Sequence, residues 1–198
     1  MPDGTDSSAR GRLLKAGAQV YAERGYAGGS VREICKRAET SPNMVHHYFG
    51  SKAGLLEAIV ERFDTQVLAL PMCLLDTPAR SKDDFDSRME MLFEATLDAF
   101  IARREVVMVV LREQADPPAL REYTSRFVRF LDQGKRKGFV RRGLDTRMVT
   151  GAMLDRISSQ VQFAPLIKRT FGGDLADPKY KKRWCASNIA LFLHGIVG

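Results

Sequence analysis

The 198-residue chain predicts an all-α protein. Apolar residues recur at i, i+3, i+4 and i+7 through most of its length, the period of a helix with one buried face. No stretch of useful length alternates apolar and polar residues as a half-buried strand does. The apolar runs are also punctuated by helix signals, with Ser30, Ser41 and Ser51 ahead of them and Gly25, Gly50 and Pro71 behind. No internal repeat or low-complexity tract interrupts the series.

The first helix is expected over residues 8–24, burying Leu14, Ala18 and Tyr21 and ending at Gly25, before the loop Tyr26-Ala27-Gly28-Gly29. The second starts at Ser30, which forms a capping box with Glu33, and buries Val31, Ile34, Cys35 and Ala38. Thr40-Ser41-Pro42 breaks the helix and restarts it: Ser41 can cap, and Pro42 fits a first helical position, where no N–H is missed. The third helix buries Val45, Tyr48 and Phe49, and leaves Asn43, His46 and His47 on other faces with Lys52 just beyond. Ser51 caps a fourth helix carrying Leu56, Ile59, Val60 and Phe63, expected to run toward Leu70 and stop at Pro71. A fifth opens on Asp83, Asp84 and Asp86, acidic as a helix N-terminus prefers, and repeats Met89, Leu92, Phe93, Thr96, Leu97 and Phe100. The sixth, 105–114, holds VVMVVL and is apolar nearly all round, as a central buried helix is. Pro117-Pro118 opens the seventh, with Leu120, Tyr123, Phe127, Phe130 and Leu131 inward and Gly134 and Gly138 weakening its end. The eighth (146–163) and ninth (179–196) flank the loop TFGGDLADP.

The segment from Ser30 to Lys52 is two short helices joined by a tight turn. A short helix whose free face carries an amide, two imidazoles and a nearby lysine suits the major groove of DNA. This order, followed by H-H-Y-F-G-S-K-x-x-L-L at 46–56, resembles the DNA-binding domain of the TetR family of bacterial transcriptional regulators. The motif covers roughly the first quarter of the chain. The resemblance implies a nine-helix architecture with an N-terminal helix-turn-helix domain and a C-terminal helical ligand-binding and dimerisation domain. On this chain that gives a disordered tail at 1–7, a DNA reader at 8–54 and a body at 55–198. Asn43 and His46 lie three apart near the helix start and are expected to read base edges, His46 as a donor or against a thymine methyl. Pro42 adds apolar contact. Ser30, Tyr48 and Lys52 are expected at phosphates, and Ser41, Met44 and His47 complete the DNA-binding set. Three positions depart from the family pattern: Glu39 stands where a glycine is usual, Met44 where a small hydroxyl residue is, and His46 where a tyrosine is common. A left-handed Glu39 would carry about 1 kcal/mol of strain.

Composition excludes several classes. A hydrophobic fraction of 44% with 28% charged residues is that of an ordinary globular protein. The net charge is +7, but residues 1–60 hold eight cations against six anions, so the motif rather than the charge identifies a DNA-binding face. The start MPDGTDSSARGR lacks the apolar core of a signal peptide. VVMVVL at 106–111 is the longest pure apolar stretch, far short of the ~18 residues of a membrane span. Cys35, Cys73 and Cys185 are odd in number and lack C-x-x-C spacing, which argues for a reducing compartment and points to the cytoplasm. His46 and His47 are adjacent, about 100° apart on a helix, and cannot chelate a metal together. With three histidines, no nucleophile elbow, no phosphate-cradling glycine loop and no H-E-x-x-H, the sequence predicts neither an enzyme nor a metal or cofactor.

In the body, Phe93, Phe100, Met108, Phe127 and Phe130 are expected to wall an effector pocket. Gln114 and Gln160, with Glu113, are the polar groups that could orient a ligand. Val149, Met153, Ile157 and Val161, and Cys185, Ile189, Phe192, Leu193 and Ile196, form two stripes. In proteins this chain resembles, the last two helices pair with their symmetry mates, so residues 146–163 and 179–196 are expected to form a homodimer. The expected function is a ligand-responsive transcriptional regulator, a repressor released from a palindromic operator by a small hydrophobic effector. Two alternatives stay open: an architectural DNA-binding protein without effector, and a ligand-binding helical domain whose reader is weakened.

Overall fold

The computed structural model describes residues 8–196, without side chains at 64–66, 70 and 194–196. The expected disordered tail at 1–7 and the Ile196 side chain of the last stripe lie outside the described residues. Among those residues the secondary structure is helical throughout. The first four helices are α1 (Ala9–Gly28), α2 (Val31–Arg37), α3 (Pro42–Phe49) and α4 (Lys52–Gln66). Then follow α5 (Ala69–Cys73), α6 (Lys82–Ala102), α7 (Arg104–Arg112) and α8 (Pro118–Arg136). The last three are α9 (Thr146–Gln162), α10 (Ala164–Phe171) and α11 (Pro178–Ile196).

Eleven helices stand where nine were expected, the additions being α5 and α10. Both hinge on proline. The fourth helix does not run on to Pro71; it ends at Gln66, and Pro71 falls in the first turn of α5, where a missing N–H costs no helical bond. Pro165 likewise opens α10 directly after α9, and Gly172 closes α10 in the left-handed conformation.

The chain forms two compact units. The first holds the residues up to Gln66 together with Arg103–Ala119, the second Val67–Ala102 and everything from Leu120 onward. These units describe packing, whereas the 8–54 and 55–198 boundaries are an expected division of labour. The sixth helix of the sequence reading, here α7, belongs to the first unit. It packs on α1 and α4 and buries Val106, Val107, Val109 and Val110 in the first unit.

In the second unit, α6 packs on α9 and α11. Its core is aromatic: Phe85 stacks on Phe130 at 5.2 Å, and Phe93 meets Trp184 at 5.5 Å. Met153, Ile157, Val161, Cys185 and Ile189 are buried there. The inner stripes of the last two long helices therefore serve their own unit's core.

Candidate nucleic-acid interface

The α2–α3 pair is held from below by α1. Ile34, Cys35 and Ala38 of α2 and Val45 of α3 are buried together with Leu13, Leu14, Val20 and Tyr21. Gly17 of α1 lets α4 in close, since a Cβ there would sit 3.0 Å from Ile59 and 3.2 Å from Leu55. Burial holds the Cys35 thiol above its ordinary value and pushes the Tyr21 phenol up, the latter helped by Tyr26 and Glu113 nearby.

Hydrogen bonds fix the geometry. α1 kinks at Gly25, whose φ of 74° and ψ of 168° leave helical groups without partners. The end of α7 supplies those partners: Arg112 donates to the carbonyls of Ala22 and Glu23, and Glu113 accepts from the Tyr26 N–H at 2.7 Å. Arg12 donates to the Ala38 carbonyl at the end of α2. Glu33 pairs with Arg24 at 3.1 Å and with Arg37 at 2.8 Å, and Arg37 also forks onto Glu23, holding that carboxyl below its usual range. Glu33 is thus an ion-pair hub, and only the Ser30 half of the capping box is seen, accepting from the Glu33 N–H at 3.1 Å.

The proposed DNA contacts fall into distinct states. Ser30, Ser41, Pro42, Asn43, His46, His47 and Tyr48 are exposed, and Met44 is half-buried. Ser30 uses its oxygen as an acceptor and keeps its O–H to donate. Ser41 occupies the N-cap position of α3 without making a side-chain cap bond. Tyr48, expected to be buried, is 36% exposed and lies edge-on to His47 at 4.8 Å, so of the three expected residues Val45 and half-buried Phe49 seat the helix. Lys52 is not a free cation. Its ammonium donates to the Tyr26 carbonyl at 2.6 Å and lies 4.4 Å from the Tyr26 ring centre.

The sequence reading passed over Arg32 and Lys36. They lie four apart on α2, exposed and without an ion pair among the described residues, on the side away from the buried Ile34 and Ala38. That i, i+4 pair is placed as phosphate-contacting cations are on a helix that crosses the DNA backbone. No group of three or more His, Cys, Asp or Glu among the described residues is placed to hold a metal ion. No described helix is long and apolar enough to cross a membrane.

The family model for bacterial regulatory proteins of the tetR family matches residues 13–59, the span from α1 into α4 that positions this reader. Over this span the chain is a TetR-family DNA-binding domain. It is similar to the transcriptional regulator UidR of Escherichia coli (strain K12), at 27% identity covering 74% of this chain and 76% of UidR. It is also similar to the transcriptional repressor NicS of Pseudomonas putida, at 26% identity covering 94% and 92%. A solved structure of the ketosteroid transcriptional regulator KstR2 of Mycobacterium tuberculosis superposes with a TM-score of 0.73, at 24% identity and full coverage of both chains. The TetR family is one of DNA-binding transcriptional regulators, and the chain is such a regulator rather than an enzyme.

Of the seven residues expected to line an effector pocket, five belong to the second unit and two to the first. Phe93, Phe100, Phe127 and Phe130 are buried in the second unit. Met108 and Gln114 belong to the first unit: Met108 lines an open cleft of about 460 Å³ with Glu23, Arg37, Arg104 and Glu105, and Gln114 is an exposed residue at φ 50° just past α7. Gln160 is buried and donates to the Tyr180 hydroxyl at 3.3 Å. Thr96 and Tyr123, read in the sequence only as members of two apolar helix faces, pair their hydroxyls at 2.9 Å inside the aromatic core. A small apolar cavity of about 10 Å³ lies against Met89, Phe93, Met153, Ile189, Phe192 and Leu193.

Proposed function

We propose that this regulator is a homodimeric repressor, acting in the cytoplasm, that leaves a palindromic operator when a small hydrophobic effector binds. Residues 8–54 read DNA, and residues 55–198 hold the effector and the partner subunit. The observation that carries the reading is α3: it is seated by Val45 and Phe49 while Asn43, His46 and His47 all remain exposed. A single recognition helix contacts only a few base pairs, so useful affinity needs a second one at a half-site about one DNA turn away. An effector among the apolar side chains of the second unit would find Thr96–Tyr123 and Gln160–Tyr180 as polar groups for orientation. Both NicS and KstR2 carry the name repressor, and the KstR2 name pairs it with a ketosteroid, a bulky apolar molecule with few polar groups. To release DNA the effector must bind the DNA-incompetent state more tightly, by a coupling of about 1–3 kcal/mol.

The test is a gel shift on the DNA flanking the gene, followed by a screen of hydrophobic compounds against the complex. A shift that one compound class reverses, by roughly 5- to 150-fold in affinity, supports the proposal. DNA binding unmoved by any compound that raises the melting temperature would leave an architectural protein. Ligand binding with no shift on any flanking DNA would leave a helical receptor with a weakened reader.

A further inference from the structure

His46 faces Gly50 across one turn at the end of α3, and the two residues are joined twice. The Gly50 N–H donates to the His46 carbonyl at 2.9 Å. The His46 Nδ1 lies 3.0 Å from the Gly50 carbonyl oxygen, and the glycine φ of 71° is a conformation other residues reach only with strain. A carbonyl oxygen has lone pairs and no proton, so this contact is a hydrogen bond only if Nδ1 carries the hydrogen. A neutral imidazole has one N–H. With that proton at Nδ1, the other nitrogen, Nε2, is a bare lone pair. His46 is exposed, and Nε2 has no partner among the described residues.

We infer that His46 is a tautomer-locked acceptor that selects an exocyclic amine in the major groove, a specificity determinant set by the backbone of Gly50. This rests on the reading of α3 as the base-reading helix. It also differs from the roles expected from sequence, in which His46 donates or lies against a thymine methyl. The groove offers an acceptor of this kind two donors, the adenine N6 amine and the cytosine N4 amine, whereas guanine N7 and O6 present only lone pairs. Asn43, one turn earlier on the same face, keeps both a donor and an acceptor, so the two residues are not interchangeable readers. Adjacent His47 has a different environment, edge-on to Tyr48 at 4.8 Å, and the lock does not extend to it.

The experiment uses the full chain at pH 8. Binding selection with wild type and His46→Ala first locates the base pair whose preference the variant loses. Two atom-level changes are then made at that pair: removal of the amine (purine for adenine, or pyrimidin-2-one for cytosine), and removal of the purine N7 by a 7-deaza base. The inference expects amine removal to weaken wild type by about 5- to 10-fold more than it weakens His46→Ala. The 7-deaza base should leave wild type unchanged. Long-range ¹H–¹⁵N spectra of the free protein, with His46→Gln for assignment, should show the Nδ1–H tautomer. An Nε2–H tautomer, or sensitivity to N7 rather than to the amine, overturns the inference and leaves α3 as the reader. Failure of that underlying reading looks different: Asn43→Ala, His46→Ala and His47→Ala would all leave base preference untouched.

Discussion

Glu39 sits at φ 51° in the turn between α2 and α3, exposed, with its N–H on the Lys36 carbonyl. A Cβ in that conformation crowds the following carbonyl, and the site makes no compensating side-chain bond among the described residues. Glu39→Gly should therefore raise stability by about 1 kcal/mol in denaturant titration, strain relief outweighing the extra freedom of glycine in the unfolded chain. Lys52 calls for the opposite expectation. Its ammonium is bound to the Tyr26 carbonyl and ring, so Lys52→Ala should lower stability by about 1–2 kcal/mol before any DNA is added. A lysine devoted to phosphate would leave the melting temperature alone and change only the salt slope. The cysteines divide by burial as well. Cys73 is exposed, whereas burial, with Glu94 and Asp98 adding, pushes the Cys185 thiol up to about 11 and burial raises that of Cys35. At pH 8 a thiol reagent should thus modify Cys73 alone in the folded protein and all three after unfolding. The strain at Glu39 was legible in the sequence, because a turn that usually takes glycine names its own conformation. The Lys52 contact was not, because it joins residues 26 apart through a side chain that could equally have faced solvent.

At the scale of elements, Gly134 shows how a residue read as a helix breaker can be a packing residue. Helix α8 does not weaken there but continues to Arg136. Gly134 is buried, and a Cβ on it would come within 2.7 Å of the Phe85 ring, which stacks on Phe130. Alanine would gain about 1 kcal/mol of helix propensity but force the stacked rings apart, an overpacking cost of about 1–3 kcal/mol. Gly134→Ala should therefore destabilise the protein, and Phe85→Leu in the same chain should cost less than it does alone. Stability equal to or above wild type in Gly134→Ala would show that the ring pair moves freely. Helices with a buried face were readable in order, because each repeats apolar residues at the helical period. The two additions were not, for different reasons. Residues 69–73 are too short to show a period, and α10 has no buried residue to reveal one. The affiliation of α7 was hidden too, since apolar content shows that a helix is buried but not what it is buried against.

The whole-molecule question is where a second subunit would sit. The stripes first assigned to it, through Met153, Ile157 and Val161 on α9 and Cys185 and Ile189 on α11, are already used inside the second unit. Leu193 lines the small cavity with Phe93 and Phe192. The opposite faces carry the large apolar residues that remain in contact with water. Met148 is 76% exposed, Phe163 48% and Leu191 70%, with Leu166 and Phe171 of α10 beside them in sequence. Along α9 the exposed positions Met148, Ala152, Asp155 and Phe163 share one side of the helix, with small side chains between bulky ends. Such a surface suits close helix–helix packing better than solvent. Sedimentation of wild type at micromolar concentration should give about twice 22.2 kDa. Leu191→Glu and Phe163→Glu should lower that mass and weaken binding to a palindrome together, because each half-site alone holds one recognition helix. Leu193→Glu should act differently, lowering the melting temperature by charging a core-facing site. A Leu191→Glu, Phe163→Glu double variant that stays dimeric and binds the palindrome as wild type does would place the interface elsewhere. A wild-type monomer with tight palindrome binding would remove the need for one.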